Sequence, residues 1–122
     1  MRSLIAFLPR DAIVEDVRDR LLARGGAVDI RAGRMTVVHE GSVAWIEPDV
    51  EGELGSEYES HELTFVAGLI GDWAAFVVDF RSADVADFVV AALAERWPCV
   101  VDDDEGFIGW AAEYLTHATP EA

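Results

Sequence analysis

The sequence contains no lysine. Its nine basic residues are all arginines, set against twenty-four acidic residues, and the formal net charge is −15 over 122 residues. Nothing in it forms a basic run that could replace the counterions condensed on a phosphate backbone, so direct binding to DNA or RNA is excluded. Cys99 is the single cysteine, which excludes an intrachain disulfide. Long apolar runs are missing as well. The N-terminal stretch Leu4–Leu8 is short and meets Pro9 and Arg10, so it reads as neither a signal peptide nor a membrane span. The expectation is a soluble, cytoplasmic protein with no membrane partner.

Catalytic signatures are equally scarce. There is no Gly-x-Ser-x-Gly elbow, phosphate loop or dinucleotide fingerprint. His39, His61 and His117 fall in separate elements without the close spacing of a zinc pair. Cys99 follows Pro98 and precedes Val100 and Val101, an apolar setting that raises a thiol's pKa and leaves it inert. No cofactor is called for, and the roles an active site needs are not filled. The chain reads as a non-catalytic binding protein.

What is present is apolar mass. Hydrophobic residues make up 52%, with four Trp, six Phe and two Tyr. That is enough for one well-packed domain over residues 1–122, not a disordered acidic chain. Ser3–Leu8 reads as a buried strand. Asp11 caps a helix to about Arg24, with Val14, Val17, Leu21 and Leu22 inward and Gly25-Gly26 ending it. Residues 27–48 switch to period two, with turns at Ala32-Gly33 and Glu40-Gly41, and read as a three-strand meander. Residues 49–60 read as an acidic loop. Leu63–Ile70 favours a helix, with a strand as the alternative. Trp73–Phe80 reads as an inner strand, and Ser82 caps a helix whose inward face is Val85, Phe88, Val89, Leu93 and Trp97. Cys99–Val101 reads as a short strand, Asp102–Gly106 as a turn, Phe107–Trp110 as a returning strand and Ala111–His117 as a last helix. Residues 118–122 read as a frayed tail. The sum is a single α+β domain, a mainly antiparallel sheet with helices packed on it.

Two acidic stretches stand out as candidate sites. Glu47, Asp49, Glu51, Glu53, Glu57, Glu59 and Glu62 follow one another with no arginine between them. Such a segment can steer and hold a basic protein partner, or it can be a solvated loop. The second stretch is Asp102, Asp103, Asp104 and Glu105 before Gly106. It is either a tight turn in which Asp caps backbone amides or one arm of a metal site built from Asp102, Asp104 and Glu113. Counted as a calcium loop from Asp102, Glu113 falls at position twelve, but Gly106 comes one place before position six. Trp110 and Tyr114 flank the hairpin end and read as partly exposed aromatic anchors, whereas Trp45, Trp73 and Trp97 read as core.

The segments Phe76–Ser82, its following helix, Val100–Gly106 and Glu113-Tyr114 together resemble a known class. They are similar to the C-terminal halves of small acidic bacterial immunity proteins from polymorphic or contact-dependent toxin systems. The resemblance covers about residues 73–115. It implies a stoichiometric inhibitor with no catalytic site, neutralising a basic toxin domain, a nuclease among the candidates. Two further readings stand beside it: a small metal-binding or metal-dependent hydrolase domain using Asp102, Asp104 and Glu113, and an acidic housekeeping protein of a halophile.

Overall fold

The alternation of apolar and polar residues that marks the strands has one consequence: each strand carries two different faces, and each face must find its own cover. A computed structural model of the chain describes residues 1–49 and 52–118. Strands β1 (Arg2–Pro9), β2 (Ala27–Arg31), β3 (Arg34–His39), β4 (Ser42–Pro48), β5 (Trp73–Phe80), β6 (Val100–Asp102) and β7 (Ile108–Trp110) form one antiparallel sheet. Its order is β2-β3-β4-β5-β1-β6-β7. Helices α1 (Val14–Ala23), α2 (Ser60–Ile70), α3 (Ala83–Arg96) and α4 (Ala111–Ala118) complete an α+β fold.

The two faces are covered unequally. On one, Leu4, Ala6, Leu8, Met35, Val37, Ala44, Ile46, Phe76, Val78 and Phe80 meet α1, α3 and α4 in the main core. All five residues expected on the inward face of α3 are buried there, and the Ser82 hydroxyl accepts the Asp84 N–H as its cap. On the other face a smaller core gathers Phe7, Ala75 and Val100 under Val66 of α2. The Phe7 ring meets Tyr58 and Trp73 edge-on, with centroids 5.7 and 5.1 Å away. The main contacts of α2 fall on β1, β5 and β6, so cover on this side is concentrated toward that part of the sheet.

Several local expectations are corrected. Asp11 does not cap α1. The chain makes a tight turn after β1, in which the Pro9 carbonyl accepts the Ala12 N–H, and the helix starts at Val14 with Ile13 in the cap position and no side-chain cap. Leu22 is exposed, one helical step past the buried Leu21. The α1 terminus behaves as its glycines require: Gly25 adopts φ +97° and the Gly26 N–H reaches back to the Leu21 carbonyl. Among the described residues Trp45 joins neither core, because Ala44 and Ile46 take the buried positions of β4 and turn it to the opposite face. The acidic loop is not wholly irregular. Glu53–Glu57 forms a 3-10 helix, Ser60 already opens α2, and Leu54 and Tyr58 pack on the smaller core. Of the frayed tail, Ala118 closes α4, and residues 119–122 lie outside the described residues.

Candidate functional site: an acidic groove

Antiparallel registers place Glu47 of β4, Val77 of β5, Ile5 of β1 and Asp102 of β6 in one row across the sheet. Three inter-strand steps separate the end carboxylates, about 14 Å at the usual strand spacing. The row lies on the smaller-core side, so its middle is apolar and its ends are acidic. Above it stand the 3-10 helix, Tyr58 and the first turn of α2.

The overhang encloses two hollows. One, of about 320 Å³, is lined by Glu47, Asp49, Glu53, Leu54, Glu57 and Val77 among others. The second, of about 580 Å³, is lined by Ile5, Tyr58, Glu62, Val77, Asp102 and Asp104 among others. Leu54, Glu57 and Val77 border both, so the hollows run on into a single groove. The two acidic stretches of the sequence therefore meet in space. Their link is direct: the Tyr58 hydroxyl donates to Asp102 Oδ2 at 2.5 Å. Burial, followed by that bond to Asp102, pushes the Tyr58 phenol well above its ordinary range.

The carboxylates differ in what they already do. Asp49 accepts the N–H groups of Glu53 and Leu54, both at 3.1 Å, and so starts the 3-10 helix. Glu62 accepts the Glu59 N–H at 2.9 Å and closes the start of α2. Glu59 faces His61 at 3.3 Å. Glu47 lies 3.3 Å from Arg34, a counter-charge supplied by the neighbouring strand that a linear reading misses. Asp102 accepts the Asp104 N–H, and Asp103 accepts those of Glu105 and Phe107, as the tight-turn reading expects. Gly106 has φ +102° and Asp104 itself φ +61°. Asp104 thus stands out exposed at the groove's edge, with Glu53 and Glu57 exposed on the opposite wall. Glu51 lies outside the described residues, as does the side chain of His117.

Asp103 and Glu105 face a different hollow. It measures about 510 Å³ and is bordered by Arg2, Phe80 and Tyr114. Arg2 lies 3.8 Å from Glu105 and 5.0 Å from the Phe80 ring, so the charge there is partly met from within. Tyr114 is not an exposed anchor: α4 folds onto α3 and buries it at 6% exposure beside Phe107. Burial, with Asp87 next, pushes its phenol up to about 12. Trp110 is half-buried and packs on the smaller core. Cys99 is buried and its thiol is pushed up to about 12 by desolvation, the inert state expected. Glu113 is exposed in the first turn of α4, and among the described residues no three His, Cys, Asp or Glu side chains gather as a metal set. The set Asp102, Asp104 and Glu113 is therefore not assembled.

On the helical side Arg18 meets Asp19, and Arg20 and Arg24 both clamp Glu95 across α1 and α3. On the groove side Arg34 is the arginine that reaches the acidic row. Sequence reasoning missed Tyr58, Leu54, Asp79 and Arg34, which meet the acids only through sheet register. Compared with known proteins, the chain matches no family model, no curated protein and no solved structure.

Proposed function

We propose that this protein works by binding, its groove receiving a basic segment of a protein partner. On this reading it is an immunity protein that neutralises a toxin domain, a nuclease being the best fit, by direct contact. The observation that carries the proposal is the convergence of Glu53, Glu57, Glu62, Asp102 and Asp104 around one groove with an apolar floor. A nuclease must be basic where it holds phosphate, and an acidic groove is the complementary surface. Opposed fields speed encounter and fix register, while an apolar centre supplies desolvated contact.

The groove triple variant Glu53→Gln, Glu57→Gln and Asp104→Asn leaves the capping carboxylates intact. Its control is Asp11→Asn, Glu15→Gln and Asp16→Asn, which removes the same charge from the start of α1. The assay is co-expression with the toxin domain encoded beside this chain's gene, together with the association rate of the purified pair against salt. The groove variant should lose protection and associate more slowly with a flatter salt dependence, while the control protects like wild type. Equal protection by both variants, or no basic toxin domain beside the gene, contradicts the proposal.

A further inference from the structure

Beside the groove, on the same face of the sheet, lies ground that, among the described residues, neither core absorbs. Val38 of β3 is 38% exposed, and Val43 and Trp45 of β4 are half-buried and belong to neither core. Register sets Val38 against Val43, and Trp45 against Asp79 of β5. Arg34 reaches over Trp45 from the Glu47 end of this patch. Its guanidinium carbon stands 5.5 Å from the centre of the Trp45 ring. Its Nε lies 3.3 Å from Glu47 Oε1, and its Nη2 lies 3.9 Å from Asp79 Oδ2. The other Asp79 oxygen accepts the Ser3 hydroxyl, which holds that carboxylate in place.

An indole face with a carboxylate on either side is the chemistry that recognises a guanidinium. The ring attracts the cation, and each carboxylate takes N–H groups from a planar fork. Arg34 fills the place loosely. Its side chain is 44% exposed, and its distance to Asp79 is beyond hydrogen-bond range. Half-exposed ion pairs hold weakly and exchange readily. Glu47 also lines the groove, so the patch and the groove are continuous.

We propose that Trp45, Glu47 and Asp79 form an arginine-recognition box at the edge of the acidic groove, held in the free protein by Arg34. An arginine of the basic partner takes that place on binding, with Val38 and Val43 as its apolar flank. The inference rests on the binding reading above and adds the side chain recognised. Arginine is selected over lysine because a planar guanidinium can stack on Trp45 while sharing both carboxylates, whereas an ammonium is a point charge.

The test is calorimetric titration of the full chain, at one fixed salt concentration, with nona-arginine and with nona-lysine. Arg34→Ala empties the box. Arg31→Ala is its control, removing an equal charge across the β2–β3 turn, where Arg31 pairs with Asp29 at 2.8 Å. Arg34→Ala should bind nona-arginine about twofold to fivefold tighter than Arg31→Ala does, the range expected for a cation on an exposed indole. The gain should shrink for nona-lysine and vanish when Trp45→Leu is added. If Trp45→Leu fails to fold, Trp45→Phe should keep only part of the gain. Equal tightening by Arg34→Ala and Arg31→Ala, or an equal gain for nona-lysine, overturns the box. The groove variant separates the two readings. It should weaken both peptides alike and leave the difference between Arg34→Ala and Arg31→Ala in place. If it binds like wild type while that difference persists, the groove fails and the box stands.

Discussion

Tyr58 shows how a single residue ties the site together. Its ring packs on Phe7 in the smaller core and its hydroxyl holds Asp102, so one side chain joins the floor of the groove to both acidic stretches. Nothing local announces this, since Asp102 is far away in sequence. Cys99 is the opposite case: flanking Pro98, Val100 and Val101 already imply a buried, inert thiol. Tyr114 misled because its burial depends on where α4 lands. These buried acids carry a pH consequence. Cys99, Tyr58 and Tyr114 all have folded pKa values raised above their ordinary 9.0, 10.0 and 10.0. The unfolded chain therefore gives up these protons first. Their contribution to stability is complete below about pH 9 and declines as pH rises toward about 12, through the raised values. Urea midpoints measured from pH 8 to 11 should begin to fall near pH 9 in the wild type. Cys99→Ala should hold level to about pH 10, removing about 1 kcal/mol of loss between pH 9 and 10. Parallel curves for the two proteins would mean that Cys99 is not the first group to release its proton.

Elements were legible where local chemistry and packing agree. α3 has a Ser cap, one apolar face and a proline stop, and it forms as written. The meander has glycine-bearing turns at regular intervals and turns at the expected residues. Residues 49–60 were not legible, because Gly52, Gly55 and a run of acids carry the signature of a loop. What folds the 3-10 helix is the Asp49 carboxylate, together with burial of Leu54 against residues remote in sequence. Trp45 was misplaced for a related reason: Ala44 is small enough to look like an outward residue, yet it is fully buried. Asp49→Ala should release two backbone N–H groups and cost about 1 kcal/mol. The larger effect should be on the groove, whose outer wall is that helix. Hydrogen exchange should quicken at Glu53 and Leu54 and leave β1 and β5 unchanged. Unaltered exchange at those two amides would show that the helix is held by Leu54 alone.

At the scale of the whole molecule, the order of elements could be read from the sequence, but the order of strands could not. β1 lies between β5 and β6, pairings that no short-range pattern encodes. That placement builds the site, since inserting β1 sets Ile5 beside Val77 and brings Asp102 into the row ending at Glu47. The clustering of acids also became visible only there. An acidic housekeeping protein adapted to salt calls for carboxylates spread evenly over the surface. Here Arg18, Arg20 and Arg24 meet Asp19 and Glu95 on the helical side, while Glu57, Glu62, Asp102 and Asp104 gather around one groove on the other. Among the described residues no helix is long and apolar enough to cross a membrane.

The most direct test of the account is a residue-resolved NMR titration of the wild-type chain with nona-arginine at moderate salt. Saturable shifts are expected, concentrated at Glu53, Glu57, Tyr58, Asp102, Asp104 and the Trp45 indole, with α1 and α3 silent. Shifts of equal size along α1, or spread evenly over both faces, would contradict it and leave the acidity as a general property of the surface.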